Sequence, residues 1–192
     1  VGPHDVALAL VGATYANGYV KNKVMEFVGP GVASLSADCR NGIDCMTTET
    51  TCWSSIWQTD GVTEEYLAGH GRADAYKELK PADVAYYDGC IELDLSKIEC
   101  MIALPMHPSY AYPIRELKAN AKDLLHEIET RANEQLSGKV KMDLVSKVRA
   151  DGSIYVDQGI VAGCSGGTYE NLCAVADILR GKSCGNGEFK FS

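Results

Sequence analysis

The sequence is short of positive charge: 18 lysines and arginines stand against 26 aspartates and glutamates, for a net charge of −8 over 192 residues. It has no basic run and no basic stripe. That argues against a nucleic-acid partner, because neutralising a phosphate backbone needs clustered lysine and arginine. No apolar stretch approaches the roughly 20 residues of a spanning helix, so no membrane partner is expected. The opening VGPHDVALALVG has no basic n-region and is broken by glycines, so it does not read as a signal peptide. Eight cysteines are present, Cys39, Cys45, Cys52, Cys90, Cys100, Cys164, Cys173 and Cys184, but no C-x-x-C pair. A zinc ribbon or a thioredoxin-type site within the chain is therefore disfavoured. Without a secretory signal a disulfide framework is a poor reading as well. The thiols are expected to be reduced and mostly buried as small apolar side chains, in a cytoplasmic protein. Internal repeats and low-complexity tracts are also lacking. There is no initiator methionine, and CGNGEFKFS ends in what reads as a strand, so the chain is expected to be a segment of a longer protein.

What is present is enough apolar material, 46% of residues, for one large α/β domain or two small ones. PHDVALALVGATYANG reads as a helix ended near Gly18, and KVMEFVG as a short strand closed by Gly29-Pro30-Gly31. Ser36 is a good N-cap for a helix over 38–48. TCWSSIWQ is β-rich, with Trp53 and Trp57 expected on one sheet face in the core. A helix capped by Asp60 or Thr63 follows, and then GCIELDLS alternates as a half-buried strand does. ECMIALP reads as a further strand. The longest periodic segment runs from Pro113 to Gly138, with Leu117, Leu124, Leu125 and Ile128 on one face and acids such as Glu127 and Glu129 on a solvated one. SIYVDQGIVAGC reads as strand and TYENLCAVADILRG as a helix stopped at Gly181. Alternation of strands and helices predicts an α/β fold with parallel or mixed sheets. Prolines interrupt the pattern in ALPMHPSYAYP, which predicts a division into 1–107 and 108–192. His107 within that run is read as part of a packed connection, and His4 as exposed.

Cys164, in IVAGCSGGTYENLC, ends an apolar run and faces the start of a helix. Gly163-Cys164-Ser165-Gly166-Gly167 satisfies G-x-S-x-G between strand and helix. The histidines, His4, His70, His107 and His126, all precede Ser165, so the expected order of a serine-hydrolase triad is missing. Three readings stay open on the residues alone. Cys164 is a nucleophile activated by a helix dipole, an iron–sulfur ligand, or a packed turn cysteine.

Taken in order, GPHDVALALVG, EFVGPGVASLS, CMTTET, HGRADAY, YDGCIELDLSKIE and GCSGGTYENLCAVADIL resemble the aconitase superfamily, the iron–sulfur hydro-lyases that include isopropylmalate isomerase. The likeness covers most of the chain apart from the long helix after Pro113, fits a second domain with part of a third, and implies three-layer α/β/α units. The resemblance implies that Cys164 is the first of three cysteines holding a [4Fe–4S] cluster, and that Glu49 is an active-site acid partnering a catalytic histidine. It implies a small di- or tricarboxylic acid as substrate, an open iron acting as Lewis acid, and the remaining domains of the same polypeptide as partners. The other two cluster cysteines, a C-x-x-C, would lie downstream. One thiolate cannot hold a cubane, so no cluster and no activity are expected of the 192 residues alone. Two departures point to a divergent hydratase rather than aconitase proper. Cys45 stands where aconitases have an asparagine near the cluster-bound water, and Ser165-Gly166 replaces Thr-Asn after the cluster cysteine. A cluster-free binding or regulatory module derived from an aconitase is the competing reading.

Overall fold

Helix α1 (Pro3–Thr14) begins on a proline, whose missing N–H costs nothing in a first turn. In this computed structural model, which describes residues 1–185, 187 and 189–192, the Asp5 carboxylate accepts the Gly2 amide at 2.6 Å and the Met101 amide at 2.6 Å. One carboxylate thus closes the helix start and ties it to a segment 96 residues away. Val6, Ala7, Leu8, Leu10 and Val11 bury the opposite face. The chain turns at Gly18 (φ +63°), a left-handed position that favours glycine.

Strand β1 (Val24–Phe27) pairs in parallel with β2 (Ser54–Trp57), Val24 opposite Ser54 and Phe27 opposite Trp57. The crossover carries α2 (Ala37–Cys45) and a 3-10 turn over Thr47–Thr50, so this is a βαβ unit. Ser36 caps α2 by accepting the Cys39 amide at 3.1 Å. Phe27 and Trp57 stack with centroids 4.2 Å apart, and the Trp57 indole donates to Asp44 at 2.9 Å. Trp53 does not join them. It precedes β2, donates its amide to the Lys23 carbonyl at the sheet edge and leaves 75% of its surface exposed. Helix α3 (Gly61–Gly69) is capped by Asp60, which accepts the Val62 and Thr63 amides. Asp60 also holds Arg40 of α2 through two contacts, of 2.9 and 2.8 Å, while the guanidinium donates to the Val32 and Leu35 carbonyls.

The alternating run GCIELDLS forms no strand. Alternation stabilises a strand only when another strand pairs with it, and Ile91 remains 38% exposed. The run ends where Asp94 accepts the Ser96 amide and caps a 3-10 turn over Leu95–Lys97. Strands β3 (Met101–Ala103) and β4 (Ala111–Pro113) then form an antiparallel hairpin against α1. Its loop contains His107, which accepts the Ser109 amide at Nδ1 and stacks on Tyr15 with centroids 4.0 Å apart. The 107/108 position therefore falls in the turn of this hairpin.

The long helical segment is two helices, α4 (Ile114–Ala119) and α5 (Ala121–Gln135), broken at Asn120 (φ −128°, ψ 30°). The Asn120 amide side chain donates to the Glu116 carbonyl, the kind of local bond that competes with helix continuation. Leu117, Leu125 and Ile128 still converge on Leu104 in one apolar cluster, with Leu124 at its margin. Glu127 pairs with Arg131 on the surface. Glu129 instead turns inward and accepts the Leu144 and Val145 amides at 2.7 and 3.1 Å. It pins the following loop rather than facing solvent.

The expected strand over SIYVDQGIVAGC shrinks to β5 (Gln158–Gly159), paired in parallel with β6 (Lys190–Phe191). Helices α6 (Gly163–Gly166) and α7 (Tyr169–Leu179) lie between them, and Gly181 (φ +71°) follows α7. The fold is α/β with parallel and antiparallel sheets of two strands each among the described residues. No helix among those residues is long and apolar enough to cross a membrane. The cysteines are free, but their expected burial fails for most of them. Cys39, Cys45 and Cys52 are half-buried, whereas Cys90, Cys100, Cys164, Cys173 and Cys184 are exposed, on irregular segments or on helices with little packed over them.

Candidate functional site

Cys164 sits on α6, which is docked onto α2 rather than free. Ser165 is buried, and its hydroxyl donates to the Gly42 carbonyl at 2.7 Å across 123 residues of sequence. The Asn171 side chain of α7 donates to the Ser165 carbonyl at 3.1 Å. Glu170 accepts the Ser36 hydroxyl at 2.6 Å and gives its amide to Asp38 at 3.0 Å, so the N-termini of α7 and α2 are joined as well. Glycine is required at position 42. A Cβ there would stand 2.8 Å from Pro3 Cβ and 3.4 Å from the Ser165 carbonyl oxygen. Residue 42 is thus the point where α1, α2 and α6 meet, and its missing side chain sets their spacing.

This docking disposes of the G-x-S-x-G reading. A nucleophilic serine needs an accessible hydroxyl whose proton a base can take. The Ser165 hydroxyl is buried and its proton is committed to a carbonyl. It positions the loop, and Cys164 is the side chain the loop exposes.

Facing Cys164 is Cys45, at the C-terminal end of α2 and three residues beyond Gly42, on the same side of the helix. The Cys45 thiol lies 3.6 Å from the Cys164 carbonyl oxygen, to which it donates a hydrogen bond. Burial raises the Cys45 pKa, and the hydrogen bond and charge of Cys164 and the charge of Asp44 raise it further. Glu49 stands four residues after Cys45, exposed on the 3-10 turn that packs against α1. The structure therefore brings Cys45 and Cys164 together and carries Glu49 at the next turn of the same segment.

His4 also belongs to this neighbourhood, although its sequence position gave no sign of it. It is exposed, and a Cβ on Gly166 would lie 3.2 Å from its Cε1, so the imidazole rests against the Cys164 loop. His4, Ile160, Ala162, Gly166, Asn171 and Val175 help line an open recess of ≈ 300 Å³.

Cys164 is suited to one corner of an iron–sulfur cluster: an exposed thiol on a loop held from behind by Ser165. The described residues do not supply the rest of such a site, since none of them form a group of three or more histidines, cysteines or acids placed to share a metal. No reaction step through a cluster can be drawn from these residues alone.

Residues 1–191 match the aconitase family (aconitate hydratase). The chain is 29% identical over 182 residues to the 2,3-dimethylmalate dehydratase large subunit of Eubacterium barkeri, covering 95% of this chain and 35% of that protein. It is 28% identical over 183 residues to the 3-isopropylmalate dehydratase large subunit of Caldicellulosiruptor bescii, with 95% and 34% covered. It is 29% identical over 178 residues to 3-isopropylmalate dehydratase large subunit 1 of Pyrococcus furiosus, with 93% and 34% covered. The chain spans about a third of the length of the curated relatives it matches. With a match running from its first residue almost to its last, the chain belongs to the aconitase family.

Proposed function

We propose that these residues form part of an aconitase-type hydro-lyase that removes water from, and returns it to, a small carboxylic acid. The observation that carries the reading is the exposed Cys164 thiol, presented by a docked loop in a chain that matches the family throughout. In this reading Cys164 is one thiolate ligand of a [4Fe–4S] cluster. The remaining ligands come from residues beyond those described. When bound, such a cluster supplies a Lewis-acidic iron that polarises the substrate hydroxyl. Glu49 orients an imidazole contributed by another part of the protein, fixing its tautomer for proton transfer. Segments 1–107 and 108–192 belong to successive domains, joined through the β3–β4 hairpin. The isolated 192 residues are inactive, because one thiolate is too few for a cubane.

The substrate we favour is a substituted malate. The relatives are named for dimethylmalate and isopropylmalate, and Cys45 and Ser165-Gly166 depart from the residues expected around citrate. The relatives are also named as large subunits, so a small subunit is the natural partner, alongside the remaining domains of the same polypeptide.

The test is anaerobic reconstitution of the full-length polypeptide with iron and sulfide, wild type beside Cys164→Ser, followed by absorption and EPR spectra. The expected result is a cubane signature in the wild type that Cys164→Ser does not hold. If the two proteins take up the same cluster, Cys164 is no ligand. If neither takes one up, the hydro-lyase reading falls.

A further inference from the structure

The contact between Cys45 and Cys164 has a chemistry that neither residue has alone. Cys164 is exposed and Cys45 is half-buried directly behind it. The two segments cannot drift apart freely, because the Ser165–Gly42 hydrogen bond and the absent Cβ at position 42 fix the approach of α6 to α2. The Cys45 sulfur lies 3.6 Å from the backbone carbonyl of Cys164 itself, and an accessible thiol on a residue that carries a second thiol against its own backbone suits a peroxidatic and a resolving cysteine.

We propose that Cys45 and Cys164 form a reversible disulfide under peroxide, and that this bond withdraws Cys164 from metal ligation. The cross-link stands on the geometry; the withdrawal rests on the assignment of Cys164 as a cluster ligand. The Cys164 thiolate attacks a peroxide oxygen and cleaves the O–O bond. Cys164 becomes a sulfenic acid, and the departing oxygen leaves as water after taking a proton. Cys45 then gives up its thiol proton as its sulfur attacks the sulfenic sulfur, forms the S–S bond and expels hydroxide, which takes that proton to give the second water. Two thiols have lost two protons and two electrons, and one hydrogen peroxide has become two waters. A thiol reductant of lower potential reverses the bond by thiol–disulfide exchange. The disulfide leaves Cys164 without the thiolate that a metal requires. Position 45 is where aconitases carry an amide side chain, which has no such chemistry.

The experiment is peptide mapping of the cluster-free, full-length polypeptide under non-reducing conditions, before and after hydrogen peroxide, with trypsin and a glutamate-specific protease together. That digestion leaves Cys45 in peptide 41–49 and Cys164 in peptide 150–170, each with a single cysteine. The expected product is 41–49 linked to 150–170 and two hydrogens lighter than the pair, present after peroxide and lost on reduction. If Cys45 and Cys164 are instead recovered unlinked after peroxide, as thiols or as separate sulfinic acids, the proposal is overturned. A second arm removes the peroxide and then offers iron and sulfide. Cluster uptake should fall at least tenfold in the oxidised wild type and return after reduction. In Cys45→Ala, sulfenic acid formed on Cys164 should be trapped by dimedone, in place of the disulfide. Uptake that is unchanged by the disulfide overturns the withdrawal. A linked peptide in a protein that takes up no cluster even when reduced removes the cluster assignment and the withdrawal with it, while the disulfide stands.

Discussion

Removing the Asp60 carboxylate tests the energetics of the βαβ unit that carries Cys45 and Glu49. The Arg40 side chain is only 5% exposed and that of Asp60 24%. Asp60 receives two guanidinium contacts and caps α3 with the Val62 and Thr63 amides. In Asp60→Ala the loss of the cap costs about 1 kcal/mol. Leaving a buried guanidinium without its counter-charge costs about 3–5 kcal/mol. The low end of that range applies because the Val32 and Leu35 carbonyls still accept from Arg40. The expected total is about 4 kcal/mol, which for a chain of this size lowers the melting temperature by roughly 8–16 °C. Asp60→Asn keeps a capping oxygen and loses the charge, so it should cost about 2 kcal/mol, the worth of a charge-assisted bond. Urea denaturation of wild type, Asp60→Ala, Asp60→Asn and the double variant Arg40→Met/Asp60→Asn measures these differences. The double variant should recover part of the loss, because no charge is left unpaired. The pH dependence has a definite sign. The Arg40 hydrogen bonds hold the Asp60 carboxyl below its ordinary pKa, against the opposing effect of burial. A depressed folded-state pKa gives stability that is fully present above the ordinary aspartate value of about 3.9 and is lost as the pH falls through the lower one. Wild type should therefore lose more stability than Asp60→Asn between about pH 5 and pH 3. A cost below about 1 kcal/mol for Asp60→Ala, or parallel pH profiles for the two proteins, refutes the assignment of the pair as a strut of this unit.

Two further perturbations probe how the site is held. Gly42→Ala places a Cβ 2.8 Å from Pro3. The Pro3 ring cannot swing aside, so overpacking in the upper part of the about 1–3 kcal/mol range exceeds the roughly 1 kcal/mol that alanine gains in a helix; the variant should be less stable in urea, and its Ser165–Gly42 contact should lengthen. Equal or greater stability would mean that α1 and α6 do not pack as closely as described. Glu129→Ala removes the acceptor for the Leu144 and Val145 amides and should cost about 1.5–3 kcal/mol, with faster hydrogen exchange at those two loop amides than in α5 itself. Unchanged exchange there would return Glu129 to an ordinary solvated acid.

Features fixed by local chemistry were legible in the sequence. Pro3 starting α1, Ser36 and Asp60 as caps, and Gly181 after α7 each act within a few residues of their own position. What escaped depends on partners far along the chain. The alternation of GCIELDLS is genuine, but a strand needs a neighbour, and the sequence does not say which segments will lie side by side. The helical period from Leu117 to Ile128 continues across Asn120, so the pattern of apolar residues gave no sign of the break there. Trp53 and Trp57 share a face by spacing, yet β2 begins only after Trp53. Glu129 looked like its neighbour Glu127 because both sit among charges. Only the return of the chain at Leu144 distinguishes them.

The site divides in the same way. A cysteine followed by small residues and a helix pointed to Cys164 from local pattern alone, and the family resemblance attached a cluster to it. The reason the loop is rigid was not visible, because the Ser165 hydroxyl finds its acceptor 123 residues earlier. Ser165 shows how a motif misleads. Its residue types fit a nucleophile elbow, while its hydrogen bond assigns it to holding α6 on α2. Cys45 shows the converse. As a departure from the aconitase pattern it reads as a loss, an amide withdrawn from the surroundings of a cluster. Set against Cys164 it becomes a gain, since an amide can only donate or accept a hydrogen bond, whereas a second thiol can also be oxidised. The residue at the end of α2 therefore bears on which reactions the loop can undergo, while the loop is held chiefly through Gly42 and Ser165, with the Cys45 thiol adding one contact to the Cys164 carbonyl.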